Sequence, residues 1–429
     1  MAERWSVERV LALSPDLPSA TAARKLARPA AWSDPGAGGD LLWGWCQGSG
    51  ARPYETAVDL TGPAYRCSCP SRKFPCKHAL ALLLLWSTGA VPEAADVPPF
   101  AAEWAQTRAE RANRPRGERD EAAAAARAAQ RAERVSAGLA ELETWLQDQV
   151  RTGLASVGYG HADAVAARMV DAQAPGVAGQ LRRLSTLPAS GDGWPARLLA
   201  GYGRLHLLAR AHERLAALPE PLAATVRTYV GYPVTRESVL AEPGVADDWS
   251  VLAVRDILDG AIPARRVWLR GRRTGRWALI LLFDPLGAFG KTAEGVLAPG
   301  TSLPAQLHFY PATPPLRVVV GPGAGEAVAA APPEPAADLA AQPTEWAAAL
   351  ELDPWLPEWP AVVRGVPLSG PRAWRFADDT GAVPLLTGGV DPWVLAAVSG
   401  GRPVVVAGEW TADGLRPLTV WHGETAVPL

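Results

Sequence analysis

The sequence predicts an α+β multidomain protein: an N-terminal ββα module, an all-α middle domain, and a mainly antiparallel β C-terminal domain with a few helices. Three observations carry this. Three of the four cysteines and one histidine crowd into a dozen positions near residue 70. Residues 101–150 are rich in Ala, Arg and Glu, with apolar side chains at four- and three-residue steps from Val135, and 159–228 continue as helices. Beyond Tyr229, short apolar runs separated by Gly-containing turns take over. A chain of 429 residues has room for two or three domains of about 150 residues each.

Residues 1–30 carry a helical pattern interrupted at Pro15 and Pro18, and Asp34-Pro-Gly-Ala-Gly-Gly-Asp40 reads as a loop. Leu41 to Gln47 then alternates, with Leu41, Trp43 and Trp45 on one face and Leu42, Gly44 and Cys46 on the other. Tyr54 to Leu60 alternates again, so the two stretches predict a hairpin that delivers the chain to Tyr65-Arg-Cys-Ser-Cys-Pro-Ser-Arg-Lys-Phe-Pro-Cys-Lys-His78. Cys67, Cys69, Cys76 and His78 supply three thiolates and one imidazole, a closed tetrahedral set for one structural Zn²⁺. With four protein ligands no position is left for water, so the ion should build structure rather than carry out chemistry. Cys76 and His78 are two apart, about 200° on a helix, so Cys76 is placed just before a helix and His78 in its first turn. Ala79 to Trp86 continues that helix as a buried one. A hairpin and one helix bury too little surface alone, and the metal supplies the missing folding energy, of order 10 kcal/mol in small zinc modules.

The pattern C-x-C-x6-C-x-H, with Tyr65 before it, Cys-Pro-Ser-Arg and Cys-Lys-His-Ala within it and a short apolar helix after it, resembles the SWIM zinc finger. The resemblance covers residues 40–88 of a finger domain spanning 1–90. It implies a bacterial protein that binds protein or DNA. Stand-alone bacterial relatives are often encoded beside MoxR-type ATPases and von Willebrand A-domain proteins, so the resemblance suggests such an assembly as partner.

After a linker at 91–100, the helical domain is expected over 101–228, with a break at Arg114-Pro-Arg-Gly117. Val135, Leu139, Leu142, Leu146 and Val150 form a stripe that should pack, and Leu198, Leu199, Tyr202, Leu205 and Leu208 mark a core helix. In the β-rich domain, 229–429, strands are expected at 249–254, 266–271, 276–283, 305–310, 316–320, 373–377, 403–410 and 415–422. Arg272–Gly275 and Thr411–Gly414 read as hairpin turns, 321–342 as a flexible Ala/Pro/Gly insert, and Asp391-Pro392 with Gly400 as the brackets of a short helix.

Composition narrows the function. A formal charge of −2 gives no global field for nucleic acid, so any such binding must come from local patches. Arg66, Arg72, Lys73 and Lys77 surround the ligands; they either neutralise an anionic zinc–thiolate centre or contact phosphates or a protein partner. The cluster Arg265, Arg266, Arg270, Arg272, Arg273 and Arg276 reads as a solvated sheet edge or as a surface for an anionic partner. Met1–Glu8 is charged, so no signal peptide is expected, and no apolar run reaches the roughly 18 residues of a membrane helix. Cys46, left over from the metal set, excludes a disulfide framework by counting, which fits a cytoplasmic protein.

No catalytic set can be assigned. Gly290-Lys-Thr292 lacks the upstream glycine of a phosphate loop, because Pro285 stands there, and His212-Glu213 lacks a second histidine at Ala216. The eighteen tryptophans are scattered and read mainly as core. The expectation is therefore a non-catalytic zinc-binding protein with a protein partner, no membrane and no small-molecule substrate identified. The alternatives are DNA or RNA binding through the basic residues of the finger, and an enzyme with an unrecognised site in the C-terminal domain.

Overall fold

The computed structural model describes residues 4–47, 52–61, 64–71, 73, 75–113, 118–259, 262–283, 289, 297–334, 338–371 and 373–429. The chain divides into two compact units, Met1–Ala125 and Ala126–Leu429.

The first unit opens with helices α1 (Val7–Ala12) and α2 (Leu17–Leu26). Asp16 caps α2 by accepting from the Ser19 amide at 2.7 Å, and Pro18 sits in the first turn, where its missing N–H costs nothing. Four antiparallel strands follow in sequence order: β1 (Trp32–Gly38), β2 (Leu41–Cys46), β3 (Tyr54–Asp59) and β4 (Ala64–Cys67). The expected hairpin is thus the middle of a larger sheet. The stretch read as a loop from Asp34 lies largely in β1: a bulge between Ser33 and Gly36, with Asp34 at φ 44°, lets this Gly-rich segment pair with β2. Gly36 permits the pairing, because a Cβ there would meet the Trp43 ring at 2.5 Å.

The alternation in β2 assigns each face a cover. Leu42 and Cys46 pack with Leu80, Leu83 and Trp86 of α3 (Lys77–Ser87). Trp43, with Leu41 and Trp45, packs against Phe100 and Trp104 of α4 (Pro99–Asn113). α3 is apolar all round and is buried from His78 to Trp86, as a helix with no polar face must be. The segment before α4 is tied to the sheet edge: Ala37 donates to Pro92 O and accepts from the Ala94 amide, both at 2.9 Å.

Helix α5 (Glu118–Thr152) crosses the division at Ala125, and the helical layer of the second unit continues with α6 (Asp163–Asp171), α7 (Pro175–Ser185), α8 (Trp194–Glu213), α9 (Glu220–Val230) and the short α10 (Arg236–Leu240). The break expected at residues 114–117 lies outside the described residues. Val135, Leu139, Leu142 and Leu146 are buried, but Val150 is about half exposed. Leu199 is likewise exposed, because it stands about 100° round the helix from the buried Leu198.

The C-terminal part holds two six-stranded sheets. The first runs β10-β8-β5-β6-β7-β9, from β5 (Val245–Asp259), β6 (Ile262–Gly271), β7 (Trp277–Phe283), β8 (Thr301–Phe309), β9 (Arg317–Val320) and β10 (Val328–Ala329). After α11 (Gln342–Leu352), the second runs β13-β12-β11-β14-β15-β16, from β11 (Trp359–Ser369), β12 (Trp374–Asp378), β13 (Gly381–Pro384), β14 (Val404–Thr411), β15 (Gly414–His422) and β16 (Thr425–Pro428), with α12 (Pro392–Ser399) between β13 and β14. Among the described strands, β7 and β9 pair in parallel and the other ladders are antiparallel. Trp268 and Leu252 from the first sheet meet Val362, Leu418 and Trp421 from the second in one shared core. The expected turns close β6–β7 and β14–β15, and Asp391 caps α12. β11, β13, β16 and α11 carried no recognisable signal; Pro360 and Pro367 interrupt the apolar run that becomes β11. Within the Ala/Pro/Gly tract, Val328 and Ala329 pair with Ser302 and Thr301.

The arginine cluster is not an edge. β6 is internal to its sheet, so its side chains find partners: Arg265 on Asp256 at 2.7 Å, Arg266 on Glu358 at 2.7 Å, Arg270 over Trp277. Arg276 lies over Phe309, and Arg273 donates to Ala246 O at 2.6 Å.

Candidate metal centre

The knuckle grows out of the β3–β4 ladder. Glu55 and Ser68 exchange two hydrogen bonds, the Glu55 amide to Ser68 Oγ and the Ser68 amide to Glu55 O, each 3.0 Å, which carries the strand pairing past Cys67. Cys76 stands as the extended N-cap residue of α3, with φ −72° and ψ 166°, and His78 lies in the first turn. Strand end and helix start therefore converge, and the ligand atoms of Cys67, Cys69, Cys76 and His78 all lie within 4.8 Å of one another. Cys76 and His78 are buried, while Cys67 and Cys69 are half-buried.

The donor set fits zinc. A tetrahedral ion with Zn–S of about 2.3 Å and Zn–N of about 2.0–2.1 Å sets its sulfur and nitrogen ligands about 3.6 Å apart. Cys67 Sγ lies 3.6 Å from His78 Nδ1. The residues around the four are arranged to hold them. Thr56, directly across the ladder from Cys67, brings its hydroxyl to 3.4 Å from the Cys67 sulfur. The Tyr54 ring lies 4.8 Å from the His78 ring and fixes its plane. A structural zinc site needs such support as well as its ligands.

Electrostatics at the helix start favour a thiolate before any metal arrives. Cys76 is drawn down to about 4, first by the hydrogen bond from Cys67, then by His78 and by the amides of Ala79 and His78 at the N-terminus of α3. Cys67 is pushed up as the proton-bearing partner of Cys76 and by burial, and Cys69 is pushed up by burial. Zinc replaces those shared protons, which is why its binding is coupled to folding and to pH. Cys46 belongs to the core beside α3, outside the four-ligand cluster, and burial raises its thiol to about 11.

The basic residues divide. Lys73 pairs with Asp16 Oδ2 at 2.5 Å, and this pair pulls the Asp16 carboxyl down to about 2; the same carboxylate caps α2, so it pins the knuckle to that helix. Arg66 donates to Phe100 O at 2.8 Å. Lys77 is exposed beside a groove of about 580 Å³, lined also by Pro18, Ala22, Leu26, Tyr54, Cys69 and His78. Arg72 lies outside the described residues, as do residues 284–288 and 290–296 of the Gly-Lys-Thr stretch. His212 is buried and hydrogen-bonded to the Tyr232 hydroxyl at 3.0 Å. Among the described residues, no other group of three or more His, Cys, Asp or Glu converges for a metal, and no helix is long and apolar enough to cross a membrane. The capping carboxylate of Asp16 was the contributor that local sequence could not reveal, since it lies 57 residues from Lys73.

Residues 57–86 match the family model of the SWIM zinc finger, and residues 130–230 match that of the SWIM-associated four-helix bundle domain. No curated protein and no solved structure matches the chain. The finger match contains all four clustered ligands, and the bundle match spans the end of α5 through α9.

Proposed function

We propose that the zinc finger organises a protein-binding surface and takes no part in catalysis. The observation that carries this reading is the groove beside the knuckle. Its walls are the α2 side chains Pro18, Ala22 and Leu26 on one side and Tyr54, Pro70 and His78 on the other. Ser19, Gln47, Ser71 and Lys77 complete a mixed apolar and polar lining, which suits a peptide segment of a partner. Two of the four basic residues favour the same reading, since Lys73 is spent on Asp16 and Arg66 on Phe100 O. The zinc's work here is to hold Cys69 and His78 in the groove wall. The resemblance to bacterial SWIM proteins points to a MoxR-type ATPase or a von Willebrand A-domain protein as the partner to test directly.

Ala22→Arg places a bulky cation in the groove and leaves the ligands untouched. The full-length variant should keep its zinc and lose the partner that the wild-type protein captures, with neither protein retaining DNA or RNA at about 50 mM salt. The nucleic-acid reading wins if wild-type protein retains DNA or RNA at about 50 mM salt and releases it steeply by about 200 mM.

A further inference from the structure

The first sheet of the C-terminal part closes on itself. β9 pairs with β7 on one side and with β8 on the other, through Leu307–Val320, His308–Val319 and Phe309–Val318, so β8, β5, β6, β7 and β9 form a barrel. A barrel needs about eight strands before its interior can hold a ligand, and here Trp249, Val267, Ile280 and Leu307 fill the inside. Space lies instead at one end. Beyond Val320 the chain continues as a strap, Gly321-Pro-Gly-Ala-Gly-Glu-Ala327, tied to β8 by the Gly321 amide to Gln306 O at 2.8 Å and the Gly325 amide to Pro304 O at 2.9 Å. A cavity of about 820 Å³ is lined by this strap, α10 and the start of β8. Small-molecule sites of roughly 300–1,000 Å³ are favoured at such barrel mouths.

The floor of this cavity is the barrel's own core. Leu297, Leu303 and Val320 line it and also pack with the barrel interior, and Leu240 of α10 extends the aliphatic surface. The strap carries Gly, Ala, Pro and a single Glu, so its side chains leave the volume open. Gly323, at φ 78°, has free space where a Cβ would stand. Two charged side chains line the cavity, Arg236 and Glu326, both exposed and neither ion-paired among the described residues. Arg236 donates to Val320 O at 3.3 Å. Solvated and opposite in sign, the two give the cavity no net charge with which to select an ion. The strap contributes polarity of another kind: the amides of Gly323 and Ala324 find no acceptor among the described residues.

We propose that this barrel mouth binds an uncharged apolar molecule carrying one hydrogen-bond acceptor, such as an aryl ketone, ester or amide. Its apolar body covers Leu240, Leu303 and Val320, and its carbonyl oxygen accepts from a strap amide. Removing aliphatic and ligand surface from water supplies the driving force, and the single hydrogen bond fixes orientation. An ionic ligand would surrender its hydration without meeting a net opposite charge, which sets the preference for a neutral one. Ala298 and Ala324 are exposed residues on the cavity's lining, so either can be enlarged without touching the barrel core.

The test follows the fluorescence of 6-propionyl-2-(dimethylamino)naphthalene, a neutral aryl ketone, as full-length protein is added. Its emission should shift to the blue with a Kd of about 0.2 mM or tighter, the affinity ordinary for a ligand of its size. 2-Acetylnaphthalene should displace it, and naphthalene-2-sulfonate should do so at least about tenfold less well. Ala298→Trp and Ala324→Trp should each weaken the ketone at least about tenfold with unchanged melting. Should one of them fail to fold, the other carries the decision. Leu199→Ser alters an exposed apolar furrow between α5 and α8 and should bind as wild type does. The proposal is overturned by no shift at about 0.5 mM protein, by wild-type binding in a folded Trp variant, by loss of binding in Leu199→Ser, or by equal displacement by the sulfonate.

Discussion

Thr56 sits directly across the β3–β4 ladder from Cys67, with its hydroxyl 3.4 Å from the cysteine sulfur and its side chain wholly buried. A hydroxyl in that position orients a thiolate ligand and offsets part of its charge. Thr56→Val keeps the shape and removes the donor. It should weaken zinc binding about tenfold in a chelator competition while the strand pairing survives. Equal zinc affinity in the two proteins would show that Thr56 serves packing alone.

Removing a ligand is harsher. Cys69→Ser and His78→Ala should each lower zinc content from one ion per chain toward none, and destabilise the first unit by several kcal/mol, because ion binding and closure of the knuckle are one event. Chelator should bring the wild-type protein to the same melting behaviour. Full zinc occupancy with unaltered melting in either variant would falsify the four-ligand assignment.

Asp353 gives a pH signature with a definite sign. Burial pushes its carboxyl up to about 6, against an ordinary 3.8, despite the hydrogen bonds from Tyr229 and Trp355. Below the ordinary value both folded and unfolded chains are protonated, and no penalty exists. Between about 4 and 6 the folded chain holds a proton that the unfolded chain has lost, so stability falls as pH rises. Above about 6 a constant penalty of about 3 kcal/mol remains. Asp353→Asn removes the titration: denaturant unfolding should show the variant gaining on the wild-type protein between pH 4 and pH 6.5. Parallel stability curves over that window would contradict the assignment.

Glu409 is the reverse case, an acid that its surroundings keep ionised. Burial works against its charge, but Arg266, Arg255, the Trp268 N–H and Arg416 together hold its carboxyl below the usual range. Glu409→Gln leaves three arginines facing Glu358 alone, and should cost about 3–5 kcal/mol in urea unfolding. A loss below about 1 kcal/mol would mean that solvent already screens the cluster.

How much of this was legible beforehand depends on how local the cause is. The metal set was legible because Cys67, Cys69, Cys76 and His78 lie within twelve residues, and the two-residue step from Cys76 to His78 allows one arrangement, cap then first turn. The β2–β3 pair and the Thr411–Gly414 turn were legible for the same reason: alternation and turn glycines act over a few residues. β1 was missed because a positive φ at Asp34 and a bulge let a turn-like sequence join a sheet only once β2 stands beside it. β11 was missed because Pro360 and Pro367 mark a strand end, whereas here β12 and β14 flank the strand from either side.

The chain's own order of residues determined the identity of the zinc ligands, the helix that presents His78, and the change from helical to strand-forming sequence after Tyr229. Only the folded molecule decided that Asp16 anchors the knuckle through Lys73, that α4 covers the second face of the finger sheet, and that Arg266 turns inward to Glu358 instead of toward solvent. The physical reason is range. Backbone preference and ligand spacing act between neighbours in sequence, whereas charge pairing and desolvation act between groups that only the packing of distant segments brings together.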